Sequence, residues 1–165
     1  MIRVGVTGHR QLADEATLTR HLVETVRAVR GTTPVSDVEI WSSLAEGADR
    51  LVASLVPGEA GRLVVVLPLA SADYRDDFAT SVSQAEFDRL LASADEIEVV
   101  GPYEGGSRDS AYERAGRSVI AHCDVLLALW DGEPGRGRGG TAQMIDEARA
   151  LGREVVVIPS ERADP

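Results

Sequence analysis

Lysine is absent from this 165-residue chain, and all 17 of its basic residues are arginine. The absence excludes three kinds of site that depend on lysine: the Walker-type phosphate loop, the Schiff base and the lysine general base. A phosphate group would therefore be bound by arginine side chains, by backbone N–H groups or by the N-terminus of a helix.

Cysteine and histidine are also scarce. The one cysteine, Cys123, permits neither an internal disulfide nor a Cys-x-x-Cys pair. His9, His21 and His122 are far apart in the sequence, and the His122-Cys123 pair lacks the other ligands of a zinc tetrahedron. We therefore expect no metal and no cofactor, and we expect Cys123 to be a small core residue rather than a nucleophile.

Long apolar runs are missing as well, since none approaches the roughly 18 residues of a membrane-spanning helix. The chain also begins without the basic and then apolar segments of a signal peptide. Hydrophobic residues make up 44% of the chain and charged residues 27%, which is typical of a globular protein. We expect a single cytoplasmic domain over residues 1–165, with no membrane partner.

Positive charge is in the minority, and the formal net charge is −10. Affinity for nucleic acids depends largely on basic residues that displace counterions from the phosphates. Because an acidic surface repels phosphate, we expect no general nucleic-acid binding and predict that any anion is bound locally.

Short runs of branched apolar residues recur along the chain. The six runs are Val4 to Thr7, Val38 to Trp41, Leu63 to Leu67, Ile97 to Val100, Val125 to Trp130 and Val155 to Ile158. Near-continuous apolar runs are typical of strands that helices cover on both faces. Helical segments lie between them, at Ala13 to Arg30, Ala45 to Leu55, Gln84 to Ala94, Ser110 to His122 and Thr141 to Leu151. The alternation predicts a three-layer, Rossmann-like α/β domain with a mostly parallel sheet of about six strands.

Ligands of such sheets bind beyond the carboxyl ends of the strands. The first strand leads into Thr7, Gly8, His9 and Arg10. A glycine at this turn lets a phosphate approach the backbone, while His9 and Arg10 supply side-chain donors. The alternative is that Gly8 only allows a tight turn and that the two polar side chains are solvated.

A second candidate loop follows the second strand. It contains Ser42, Ser43, Glu46, Gly47 and Asp49. Small residues at the start of a helix leave its N–H groups accessible, so a ribose or a phosphate could bind there. In the alternative, Ser43 and Glu46 form a capping box, and Asp49 and Arg50 lie on a solvated face.

The fifth strand leads into a glycine-rich loop and then a helix. This region contains Trp130, Asp131, Gly132, Arg136, Arg138, Gly139, Gly140 and Thr141. Backbone donors, a helix dipole and two arginines would converge on a phosphate there. A flexible surface connector is the alternative. Tyr103 and Tyr112 could stack on a base, although Tyr112 could instead pack against the sheet.

Several of these segments resemble the SLOG superfamily. The stretch from Gly116 through Cys123-Asp124 and Trp130 to Thr141 is similar to its C-terminal half, and Ser42 to Leu51 resembles the Gly-Ala-Asp-Arg-Leu segment of small stand-alone members. The superfamily includes the LOG phosphoribohydrolases, the DNA-processing protein DprA and nucleotide-sensing domains. The resemblance implies a Rossmann-like fold and a site for a small nucleotide-like ligand.

In the phosphoribohydrolases an arginine and a glutamate act on an N-glycosidic bond, and the resemblance aligns Arg117 with that arginine. The position of the glutamate falls on Met144, whose thioether cannot act as a base. Glu46 or Asp131 could supply a carboxylate from another loop. Three functions stay open: nucleotide binding or sensing, N-glycosidic hydrolysis or transfer, and protein interaction through a decayed site. A homodimer or higher homo-oligomer is also permitted.

Overall fold

The computed structural model describes residues 1–102, 105–135 and 140–163. Its strands are β1 (Ile2–Gly8), β2 (Val38–Ser42), β3 (Arg62–Leu67), β4 (Glu96–Val99), β5 (Val125–Trp130) and β6 (Glu154–Pro159). Its α-helices are α1 (Glu15–Arg30), α2 (Ala48–Ala53), α3 (Ser71–Arg75), α4 (Ser81–Ala92), α5 (Arg108–His122) and α6 (Thr141–Ala150). A short 3₁₀ turn at Val35–Asp37 precedes β2.

All six strands belong to one parallel sheet in the order β4-β3-β2-β1-β5-β6. The chain builds outward from β1 to β4 and then returns to the other side of β1 to form β5. Gly8, at the end of β1, is in register with Leu129 of β5. Because the connections after β1 and β5 diverge, a crevice opens at the carboxyl ends of these strands, where open α/β sheets bind ligands.

Helices cover the sheet on both faces. On one face α1 buries Leu18, Leu22 and Val26, which lie four residues apart along one side of the helix. On the other face Trp41 of β2 packs with α5. Cys123 is buried in a third cluster between α5, α6 and β5. Burial raises the pKa of its thiol to about 11, so Cys123 is a core residue with little thiolate at neutral pH.

The predicted fold class is confirmed, since each apolar run overlaps one of the six strands and the sheet is parallel throughout. The short helix α3 was not predicted, because five residues are too few to show helical periodicity. The predicted start of the second helix at Ala45 is wrong. That helix begins at Ala48, after Gly47, whose φ of 82° is not helical. Across the described ranges, no helix is both long and apolar enough to cross a membrane.

Candidate functional site

A cavity of about 120 Å³ lies at the carboxyl end of β1. Its wall includes Thr7, Gly8, Arg10, Ser43, Ala45, Asp49, Tyr74, Tyr112, Gly116 and Met144. An engineered protein cavity of roughly 150 Å³ holds one benzene molecule. The enclosed space therefore suits one ring-sized group, and a complete nucleotide would have to extend beyond it.

The loop after β1 places three predicted residues differently. Gly8 lies in the cavity wall, but a Cβ at this position would collide with Ala48 and with Leu129, so close packing requires the glycine. His9 is buried and turned toward the end of β5. Arg10 is exposed and lies at the cavity. These positions favour a packing role for Gly8 and leave Arg10 as the accessible donor of this loop.

Arg10 has a cation–π contact and no polar partner among the described residues. Its guanidinium carbon lies 5.5 Å from the centre of the Tyr112 ring. The Tyr112 ring in turn lies 6.0 Å from that of Tyr74, and Tyr112 packs against the core while remaining partly exposed. The five N–H donors of the Arg10 guanidinium are thus available to a ligand.

Asp49 organises the loop between β2 and α2. Its carboxylate accepts the N–H of Ser43 at 3.0 Å and also the N–H of Ala45. The hydroxyl of Ser42 donates to the carbonyl of Asp49 at 3.0 Å and accepts the N–H of Leu44 at 3.1 Å. Leu44 is held at a φ of 55°, which a non-glycine residue seldom adopts. The loop is therefore fixed by the protein itself.

These bonds correct two details of the sequence analysis for this loop, the accessible N–H groups and the capping box. The N–H groups of Ser43 and Ala45 are not open to a phosphate, because the Asp49 carboxylate occupies them. No capping box forms, since Ser43 lies five residues before the helix and the carboxylate of Glu46 accepts a hydrogen bond from Ser83 at 2.8 Å. The predicted solvated face is also wrong, because Asp49 and Arg50 are both buried.

The carboxyl group of Asp49 is strongly perturbed. Burial raises its pKa to about 6, although the N–H groups of Ser43 and Ala45 and the charges of Arg10 and Arg50 act in the opposite direction. The side chain thus faces the cavity as a carboxyl group that changes charge in mildly acidic solution. Burial also raises the pKa of the Tyr74 hydroxyl, and the nearby Asp49 carboxylate adds to that effect.

Gly47 joins the two loops. Its φ is 82°, and a Cβ there would collide with the carbonyl oxygens of His9 and Arg10. The N–H of Ala48 donates to the His9 carbonyl at 3.1 Å, which holds the loops in contact. Gly47 therefore positions the backbone of Arg10, a role that its predicted contact with a ligand did not anticipate.

Arg50 connects the same loop to α4. Its guanidinium donates to the carbonyl of Leu44 at 3.0 Å and to the carbonyl and hydroxyl of Ser83 at 2.9 and 3.0 Å. It also lies 4.3 Å from the centre of the Phe78 ring. Arg50 and Glu46 thus both contact Ser83, and none of the three is among the residues that line the cavity.

The residues at the end of β5 are engaged in their own contacts. The carboxylate of Asp131 lies 2.8 Å from the guanidinium of Arg162 and accepts the N–H of Glu133 at 3.0 Å. The backbone N–H of Asp131 donates to the ring of His9 at 3.2 Å. Burial raises the pKa of Asp131, but the Glu133 N–H, His9 and Arg162 together hold it below its ordinary value. The indole N–H of Trp130 donates to the Glu133 carbonyl at 2.8 Å.

The glycine-rich region is partly outside the described residues. The structure does not describe three of the predicted residues of this region, Arg136, Arg138 and Gly139. Tyr103, from another loop, also lies outside the described residues. Gly132 has a φ of 83° with open space around it, Gly140 is the N-cap residue of α6, and Thr141 is the buried first residue of that helix. Trp130, Asp131, Gly132, Gly140 and Thr141 do not line the cavity as the described part of the chain forms it.

Arg117 points toward α6. Its side chain is 53% exposed and makes a bidentate ion pair with Glu147, with both N–O distances 2.9 Å. Glu113 lies 3.4 Å away, and the hydrogen bond with Glu147 raises the pKa of Arg117. Met144 does line the cavity, next to Gly116, whose lack of a Cβ leaves room for the thioether.

Two features of the site escaped the sequence analysis. Tyr74, from the unpredicted helix α3, forms part of the wall and packs against the rings of Phe78 and Phe87 at 5.0 and 5.5 Å. The buried position of Asp49 was missed because charged side chains are rarely buried.

Among the described residues no three His, Cys, Asp or Glu side chains are grouped so as to hold a metal ion.

Comparison with known proteins identifies the fold. No family model and no curated protein matches the chain. DprA from Streptococcus pneumoniae has a similar structure, with a TM-score of 0.64 and 18% identity over 99% of this chain and 52% of that one. The protein TM1055 gives a TM-score of 0.56 and 19% identity over 94% of this chain and 72% of the other. DprA from Helicobacter pylori gives 0.60 and 16% over 99% and 68%.

These structures show that the chain shares its fold with DprA and with TM1055. The chain spans about half the length of DprA from Streptococcus pneumoniae. They also contradict the expectation of no nucleic-acid binding. The structure from Helicobacter pylori concerns the single-stranded DNA binding mode of that protein, so this fold is compatible with a nucleic-acid partner. Net charge alone was an insufficient basis for the exclusion, because it does not describe where the positive groups lie.

Proposed function

We propose that the chain binds a nucleotide or a nucleotide-derived ligand at the cavity beside β1 and that Arg10 binds its phosphate. The observation that carries the proposal is the position of Arg10. Its guanidinium lies at the cavity, over Tyr112, with no hydrogen bond or ion pair to any described residue. Arginine suits this role because its planar guanidinium can bind two phosphate oxygens at once.

The geometry supports a binding module over a glycosidase that uses the residues considered in the sequence analysis. The three residues that sequence analysis considered for catalysis are Glu46, Arg117 and Asp131. Each has a partner within the protein: Ser83 for Glu46, Glu147 for Arg117, and Arg162 for Asp131. N-glycosidic cleavage by the residues that sequence analysis considered would require Glu46 or Asp131 near the bound sugar, and neither lines the cavity in the described part of the chain.

Calorimetric titration with AMP and with adenosine tests the proposal. We expect wild type to bind AMP more tightly than adenosine, because only AMP carries the phosphate. Arg10→Gln should weaken AMP binding by roughly tenfold or more through loss of a charge-assisted contact, with little change for adenosine. Arg149→Gln, which removes an exposed charge from α6, is the matched control. Equal AMP affinity of the two variants would refute the role of Arg10, and release of free adenine would indicate a glycosidase.

A single-stranded oligonucleotide is the second candidate ligand, because it carries the same phosphate chemistry and DprA has a similar fold. Titration with a short oligodeoxynucleotide separates the two. Tighter binding of the oligonucleotide than of AMP, lost in Arg10→Gln, would favour the nucleic acid.

A cytoplasmic location and a single domain over residues 1–165 also stay predictions.

A further inference from the structure

Besides Arg10 and the two tyrosines, Tyr74 and Tyr112, the wall of the cavity carries three polar side chains. The carboxyl group of Asp49 is one, and the hydroxyls of Thr7 and Ser43 are the others. Neither hydroxyl has a side-chain hydrogen bond to any residue in the described ranges, and Asp49 is 8% exposed. These polar groups lie beside apolar residues of the wall such as Val6, Leu126 and Met144, a combination suited to a polar ring.

The chemistry of Asp49 limits what can lie against it. An ionised carboxylate accepts hydrogen bonds at about four lone-pair positions and donates none. The N–H groups of Ser43 and Ala45 use two of these positions, which leaves room for donors from a ligand. A phosphate dianion has no such donors and would be repelled, whereas adjacent hydroxyls of a sugar supply two. Asp49 is thus suited to a sugar and Arg10 to an anion.

Resting on the proposed function, we infer that Asp49, Thr7 and Ser43 form a subsite for the hydroxyl groups of a pentose. The cavity volume, near that of one ring-sized group, agrees with a sugar in this space and with a phosphate toward the exposed Arg10. The class of ligand is then a ribose 5-phosphate or a ribonucleotide. Removal of the 2-hydroxyl leaves one acceptor of Asp49 without its donor, so deoxyribose compounds bind less well.

Three compounds without a base test the subsite on the wild-type chain: ribose 5-phosphate, 2-deoxyribose 5-phosphate and inorganic phosphate. The expected order of affinity is ribose 5-phosphate first, 2-deoxyribose 5-phosphate roughly tenfold weaker, and inorganic phosphate weakest. This comparison needs no variant, so it does not depend on whether a substituted chain folds. Arg10→Gln should weaken binding of all three, which links the phosphate to Arg10.

Two variants test whether Asp49 and Thr7 cause the preference for ribose 5-phosphate over 2-deoxyribose 5-phosphate. Asp49→Asn and Thr7→Val should each bring the affinity for ribose 5-phosphate close to that for 2-deoxyribose 5-phosphate. Asp146→Asn, which neutralises an exposed carboxylate on α6, should keep the full preference. Circular dichroism of each variant shows whether the fold is retained.

The outcomes separate the two proposals. Equal wild-type affinity for the two sugar phosphates, with both bound through Arg10, would overturn the hydroxyl subsite and leave the proposed function intact. A preference for ribose 5-phosphate that survives Asp49→Asn in a folded protein would also overturn the assignment to Asp49. Failure of all three compounds and of AMP to bind would overturn both proposals together.

Discussion

At the scale of single residues, Asp49 connects the structure of the loop to the chemistry of the cavity. Its carboxylate accepts the Ser43 and Ala45 N–H groups while its side chain lies in the cavity wall. The sequence indicated a polar loop here, but it did not indicate that the carboxylate turns back toward preceding N–H groups. That arrangement depends on the positive φ of Leu44 and Gly47, which a pattern of polar and apolar residues does not reveal.

The raised pKa of Asp49 predicts a pH effect on stability. Its ordinary value is 3.8 and its value in the fold is about 6, so the folded chain holds this proton more tightly than the unfolded chain. The contribution of Asp49 to stability is then largest in acid and falls as the pH rises through this window. Between about pH 4.5 and about pH 7 the loss is roughly 2 kcal/mol.

Urea unfolding of wild type and Asp49→Asn at these two pH values measures the effect. The unfolding free energy of wild type minus that of Asp49→Asn should decrease as the pH rises. Subtraction removes the opposite contributions of Asp131 and Glu147, whose lowered pKa values stabilise the fold at higher pH. Parallel pH profiles for the two proteins would show that the Asp49 carboxyl titrates as it does in the unfolded chain.

Gly47 provides a second residue-scale prediction. Gly47→Ala should destabilise the fold by more than Gly132→Ala, because both glycines have a φ near 83° but only Gly47 faces neighbouring backbone. The strained φ costs about 1–3 kcal/mol in either variant, and the collision with the carbonyls of His9 and Arg10 adds to it at Gly47. Denaturant unfolding gives both values. Equal losses would mean that the loop after β1 can move away from Gly47 without a cost in free energy.

At the scale of elements, the sequence predicted the central strands well because each is largely buried and reads as a continuous apolar run. β3, for example, is apolar from Leu63 to Leu67 and is buried over that whole length. The helix α2 was harder to place, because its N-terminus is set by the contacts of Gly47 and Asp49 with other segments rather than by a local capping box. The cavity is also difficult to predict from local sequence, since its walls come from six separate segments of the chain.

The contact between α5 and α6 allows a prediction about Arg117. Its guanidinium pairs with Glu147 at the surface, so Arg117→Ala should lower the unfolding free energy by less than about 1 kcal/mol. AMP affinity should stay within about twofold of wild type, because the side chain is not part of the described cavity wall. Calorimetry and urea unfolding give both quantities. A tenfold loss of affinity would instead support the role that the SLOG resemblance implies for Arg117.

At the scale of the whole molecule, net charge and local charge lead to different conclusions. The chain carries a formal charge of −10, yet the exposed Arg10 lies at the cavity and makes no ion pair with any carboxylate in the described ranges. Long-range repulsion of an anion is screened over a distance of roughly 8–10 Å at moderate salt, while a direct guanidinium contact is not. An acidic protein of this fold can therefore bind a phosphate, and the site has to be located from the structure.

A crystal structure of the chain with bound AMP tests the central claim most directly. The account predicts the phosphate within about 3 Å of the guanidinium of Arg10 and the ribose hydroxyls toward Asp49. A phosphate at the N-terminus of α6, next to Thr141, with the Arg10 side chain still over Tyr112 and making no contact with the ligand, would contradict it.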